Sequence, residues 1–155
     1  MIHRPVLSQS IRAGAKVAPG RCTKRYILAN LSPERDELPA SCPLGAAFLG
    51  TLHGPADIGR TLGLFANSSD ESTCQFILQG LMRSFPQLGQ TVRSWPKLAG
   101  ELEREPFSVL PPTRHDQLAY RREVHMSLYR VITRLHDDLG KSKEQIADLL
   151  QKHGL

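Results

Sequence analysis

The feature that most constrains this chain is the apolar spacing near its C-terminus. Val124, Leu128, Val131, Leu135 and Leu139 follow one another at intervals of four, three, four and four residues, with Ile132 beside them. That spacing falls on one face of an α-helix but scatters over both faces of a strand, so it predicts an amphipathic helix of several turns. Thr113-Arg114-His115-Asp116 supplies a capping residue and an acid where such a helix should begin. Gly140 is placed to end it. Ser142 and Gln145 then stand at capping-box spacing, Ile146, Leu149 and Leu150 form a second apolar stripe, and Gly154 follows. Residues 113–155 therefore read as a helical hairpin turning tightly at Leu139-Gly140-Lys141.

The upstream signals are also helical. Ser8 to Val17 reads as a short helix capped by Ser8 and stopped by Pro19-Gly20, with Ile11 and Ala15 on one face. Gly14 either weakens that helix or admits a close backbone neighbour. Tyr26-Ile27-Leu28 is a strand or a buried loop, because three residues are too few for a period to show. Residues 32–41, with Pro33 and Pro39, read as an exposed loop. A helix is expected after Cys42, with Pro43 at its first position, where a missing N–H costs nothing. Its Gly45-Ala46-Ala47 face is thin enough for close packing. Pro55 opens another helix through Leu64, the Phe76–Phe85 stretch reads as a core helix ending at Pro86, and Lys97 to Arg104 is a short helical piece. Asn67-Ser68-Ser69-Asp70 is a polar break, and three prolines between Pro106 and Pro112 exclude helix there. The expectation is an all-α bundle forming a single domain over residues 1–155.

Charge is distributed unevenly. Arg4, Arg12, Lys16, Arg21, Lys24 and Arg25 precede the first acid, Glu34. The chain carries +5 and residues 1–33 carry +6, so the remainder sums to −1. Such a segment either meets an anionic partner or forms a solvated edge. If it binds nucleic acid or a nucleotide, Arg12, Lys16, Lys24 and Arg25 are its candidate anion-binding residues. No apolar run approaches the ~20 residues that cross a bilayer. No signal-peptide pattern opens the chain, and Cys22, Cys42 and Cys74 do not make a disulfide framework, so a cytoplasmic location and no membrane partner are expected.

Motifs for chemistry are sparse. There is no phosphate-binding glycine loop, nucleophile elbow, CxxC or HExxH, and neither cofactor nor metal is expected. Cys42 is the one candidate nucleophile, because a thiol at a helix N-terminus has its pKa lowered by unpaired N–H groups. A buried structural thiol is the alternative. His136-Asp137-Asp138 places acids against a helix C-terminus, so Asp137 either ties down the turn or points into a site. Cys42, Gly45, His136, Asp137 and Asp138 together form the candidate functional cluster. The hairpin matches only the front half of a helix-turn-helix, and residues 142–152 mix Lys143 and Lys152 with Glu144 and Asp148, a poor composition for reading DNA.

Three segments resemble a family of uncharacterised small bacterial and phage proteins. They are Ser10-Ile11-Arg12-Ala13-Gly14-Ala15, Cys42-Pro43-Leu44-Gly45-Ala46-Ala47, and Ile132-Thr133-Arg134-Leu135-His136-Asp137-Asp138 leading into Ser142-Lys143-Glu144-Gln145-Ile146-Ala147-Asp148. The family pattern is IRxGA, CxLGAA, and a Leu-Asn-Asp element followed by EQIAD. His136 stands here where the pattern has Asn, and residues 54–112 take no part in the resemblance. The resemblance implies a shared helical fold. The functional expectation is a non-enzymatic binding or adaptor protein that meets a protein partner or a second copy through a helical surface. A phage-derived inhibitor is one form of it. An anionic-ligand binder and a Cys42 thiol enzyme are the alternatives.

Overall fold

The computed structural model describes residues 4–29, 38–67, 71–104, 107 and 126–155. Among these, the chain is mostly helical. The elements in order are α1 (Leu7–Val17), β1 (Gly20–Arg21), β2 (Ile27–Leu28), β3 (Ala40–Ser41), α2 (Pro43–Gly50), α3 (Pro55–Asn67), α4 (Glu71–Ser84), α5 (Pro96–Leu102), α6 (Leu128–Asp137) and α7 (Lys143–Lys152). Two 3-10 turns, Pro86–Gly89 and Val92–Ser94, join α4 to α5.

The all-α expectation needs one correction. A three-stranded sheet in the order β1-β3-β2 sits beside the helices, with β1 parallel and β2 antiparallel to β3. Its strands are two residues long, too short to show alternation in sequence. Tyr26-Ile27-Leu28 resolves as strand: Ile27 pairs with Ser41 and Leu28 with Ala40.

Helix α1 packs against α2 and α7, and α2 also meets α4 and α6. The α1–α2 crossing is unusually close. A Cβ on Gly14 would lie 1.7 Å from the Ala46 carbonyl oxygen, and one on Gly50 would lie 2.0 Å from that of Ser10. Gly14 therefore admits a neighbouring backbone. Leu7, Ile11, Leu44, Ala46, Ala47 and Leu49 fill this layer, and Ile132, Leu135, Ile146 and Leu150 continue it into the hairpin. The three segments that carry the family resemblance thus lie on α1, α2 and α6–α7, which pack together.

Several local expectations change. Ser8 does not cap α1; the helix starts at Leu7, and buried Ser8 donates its backbone N–H to the Leu155 carbonyl at 3.1 Å. Leu155, just past α7, supplies an acceptor for this first-turn N–H. The long helix expected through Val124 and Leu128 does not run unbroken: Ser127 is extended (φ −62°, ψ 154°) and its side chain caps α6 by accepting from the Arg130 N–H. The expected start at Thr113–Asp116, the residue Val124, the proline-rich residues 106 and 108–112, and residues 1–3, 30–37 and 68–70 lie outside the described residues. Phe76, expected in the core, is 55 % exposed and meets Phe48 edge to face, while Ile77 and Leu81 turn inward. The hairpin turn forms as read: Gly140 has φ +70°, and Ser142 and Gln145 close a reciprocal capping box.

Candidate functional site

Helices α2, α3, α4 and α6 and the loop entering β2 surround a cavity of about 400 Å³. Ile27, Pro43, Leu44 and Phe65 give it apolar walls. Tyr26, Tyr129, Thr133 and Asp137 add polar groups, Lys24 and Arg25 add two cations, and Cys42 and Cys74 contribute thiols.

Local geometry explains how these groups converge. Tyr129, Thr133 and Asp137 stand at intervals of four along α6 and so share one face. Val131, Leu135 and Leu128 occupy the buried face. The Tyr129 and Tyr26 hydroxyls hydrogen-bond to each other, bridging α6 to the residue before β2. Burial pushes both phenols up from their usual range, and the mutual hydrogen bond adds to the shift at Tyr26. Thr133 donates back to the Tyr129 carbonyl at 3.1 Å.

Asp137 anchors the loop between β1 and β2. Its Oδ2 accepts from the Lys24 backbone N–H at 3.1 Å, and its Oδ1 lies 2.7 Å from the Nδ1 of His136. Lys24 has φ 59°, the one positive φ at a non-glycine among the described residues. That left-handed conformation costs about 1 kcal/mol for a residue with a Cβ. Asp137 therefore reaches across to a neighbouring element rather than tying down its own turn, and it lines the cavity. His136 is buried; burial depresses its pKa, against the opposing pull of Asp137. Its carbonyl accepts from the Arg21 guanidinium.

Cys42 caps α2 as its position suggests, with Sγ accepting from the Gly45 N–H at 3.3 Å. The expectation of a lowered pKa fails. Burial outweighs the Gly45 N–H and pushes the thiol up to about 12, so at neutral pH it is protonated. Burial also raises Cys22. Of the expected cluster, Cys42 and Asp137 line the cavity, and His136 stands behind Asp137. Gly45 is buried against the backbone entering β2, where an added Cβ would sit 1.9 Å from the Tyr26 carbonyl oxygen. Asp138 is exposed and pairs with Arg134 along α6.

The expected anion-binding set separates. Arg12 donates to Glu144 and Asp148 on α7, so its charge is balanced by helix partners. Lys16 is exposed in the last turn of α1. Lys24 and Arg25 alone line the cavity. Lys143, which belonged to a possible DNA-facing helix, is 9 % exposed, and its Nζ donates to the carbonyls of Pro19, Gly20 and Ser41. It staples α7 to the sheet and is not free for phosphate.

Tyr26, Tyr129, Thr133, Phe65 and Cys74 were not among the site residues read from the sequence. One signal was present: Tyr129, Thr133 and Asp137 form a polar stripe of period four on a helix otherwise read for its apolar stripe. Nothing in the sequence tied that stripe to Tyr26 or Cys42. Among the described residues no group of three or more His, Cys, Asp or Glu side chains could hold a metal ion, and no helix is long and apolar enough to cross a membrane. Comparisons with protein-family models, curated proteins and solved structures find no match to this chain.

Proposed function

We propose that this protein is a small-molecule binding protein whose site is the cavity between β2 and helices α2, α3, α4 and α6. The observation that carries this reading is the cavity itself: about 400 Å³, walled by apolar side chains together with the Tyr26–Tyr129 pair, Asp137 and two cations. Ligand sites commonly span about 300–1,000 Å³, with mostly apolar walls and a few convergent polar groups. A protonated Cys42 makes the thiol a wall atom rather than a nucleophile.

Titration with a neutral naphthylamine dye, whose emission rises in apolar surroundings, tests the reading. One dye should bind per chain. Thr133→Trp and Cys74→Trp, which fill the cavity from α6 and from α4, should each abolish the signal while circular dichroism stays unchanged. Undiminished binding in both folded variants would overturn the assignment.

Docking of a protein partner or a second copy is the second reading. Leu28, Leu64 and Phe76, on β2, α3 and α4, are 45 %, 49 % and 55 % exposed. Exposed apolar groups of this size favour contact surfaces when they adjoin. Sedimentation of the wild type against Phe76→Ser tests it: a dimer that the substitution dissociates supports self-association.

A further inference from the structure

We infer that the cavity selects an amphipathic carboxylate: an apolar body seated against Ile27, Leu44 and Phe65, with its anionic head at Lys24 and Arg25. The inference rests on the cavity being a ligand site and adds which ligand class it takes. It follows from the donors and acceptors that line the space.

Among the described residues the wall holds one carboxylate, and each of its oxygens has a partner. Asp137 takes the Lys24 backbone N–H on one oxygen and faces His136 Nδ1 with the other. Thr133 spends its hydroxyl proton on the Tyr129 carbonyl. The two phenols share one hydrogen bond, and two hydroxyl groups carry two protons, so one O–H remains to donate. The Lys24 ammonium and the Arg25 guanidinium enter none of the ion pairs found among the described residues. With the Asp137 carboxylate counted, the charged wall groups still sum to +1, and the donors left over are the two cations and one phenolic O–H. They complement an acceptor that carries negative charge, and charge-assisted hydrogen bonds to such a group are the stronger kind.

Size and wall chemistry narrow the class further. A cavity of about 400 Å³ lies near the lower end of the range for ligand sites, so it suits a small ligand. The apolar walls leave most of that ligand without polar partners, so its body is hydrocarbon. A nucleotide, with several phosphates and a polar sugar, would strand its polar atoms against Ile27, Leu44 and Phe65.

Displacement of the neutral dye by three ten-carbon chains tests the inference: decanoate, decanol and decyltrimethylammonium. Decanoate should displace the dye at a concentration at least tenfold below decanol, and the cation should be weakest. Added salt should narrow the gap between decanoate and decanol. Arg25→Glu, at an exposed position, should bring the decanoate-to-decanol ratio to about one or below. Lys24→Asn, which suits the left-handed backbone, should lower it in the same direction. Equal displacement by decanoate and decanol in the wild type, or preference for the cation, would overturn the inference and leave the cavity assignment standing. Failure of the dye to bind at all would instead overturn the cavity assignment, on which this inference rests.

Discussion

The closest test of the packing is one substitution made at two glycines. In an unstrained helix interior, Gly→Ala stabilises by about 1 kcal/mol, because alanine has less backbone freedom to lose. Gly59, in the middle of α3, has nothing within 4 Å of where its Cβ would stand, so Gly59→Ala should gain up to about that amount. At Gly14 the same methyl lands 1.7 Å from the Ala46 carbonyl oxygen, half the 3.4 Å at which ordinary contact begins. The obstacle is backbone, so no side chain can rotate away. Helices α1 and α2 must move apart by more than an ångström, and a radial gap of ~0.5–1 Å already forfeits a quarter to a half of each dispersion contact. Overpacking of this kind costs about 1–3 kcal/mol and sometimes more. Because the clash is with backbone, the cost should reach the top of that range, about 3 kcal/mol, and set against the propensity gain of about 1 kcal/mol it leaves a net loss of about 2 kcal/mol. With a urea slope near ~2 kcal/mol per molar, the midpoint should fall by about 1 M for Gly14→Ala and rise by about 0.5 M for Gly59→Ala. Equilibrium urea denaturation followed by circular dichroism measures both. If Gly14→Ala is as stable as the wild type, the close α1–α2 crossing is refuted.

Lys143→Met should lose about 2–4 kcal/mol in thermal or chemical denaturation, because carbonyls of the β1–β3 layer lose their shared donor; Lys97→Met, at an exposed site, should stay within about 0.5 kcal/mol. Burial depresses the His136 pKa in the fold, whereas the unfolded chain protonates it near ~6.5. Above that pH both states hold a neutral ring and its contribution is undiminished. As pH falls below it the unfolded state takes the proton first, and stability drops by up to about 1.4 kcal/mol per pH unit until the folded pKa is passed. His136→Asn should flatten this part of the stability profile between pH 7.5 and 5.5, and an unchanged slope would contradict the assignment. Alkylation of the native protein near pH 8 should modify half-buried Cys74 first and leave Cys42 protected until the chain unfolds, as peptide mapping by mass spectrometry would show. Fast labelling of Cys42 in the native state would contradict its burial.

The local devices were legible in the sequence. Capping by Ser142 and Gln145, the turn at Gly140, the stop at Pro19-Gly20 and Pro43 at the head of α2 each depend on a few neighbouring residues, and the structure contains them all. The buried stripe of α6 and α7 was equally plain through Leu135, because helical period and burial are linked by geometry over a short span, whereas Leu139, expected to continue it, lies beyond the end of α6 and is exposed. The sheet was not legible. Its strands are two residues long, and β3 is joined to β1 by a parallel pairing that no local pattern encodes.

The site belongs to the same non-local class. Tyr26 and Tyr129, whose hydroxyls meet, are 103 residues apart, and Lys24 and Asp137 are 113 apart. Lys143 reads as a solvent-facing helix residue until β1, β3 and the residue before β1 place three carbonyls above it. Cys42 shows the division most clearly. The sequence by itself set it at a helix N-terminus, where the dipole lowers a thiol's pKa. Tertiary packing then removed water from around the sulfur, and in a low dielectric the lost hydration of a thiolate outweighs one backbone N–H. Short-range periodicity and capping follow from neighbouring residues alone. Burial and charge balance are sums over the whole fold, and only the folded chain sets them.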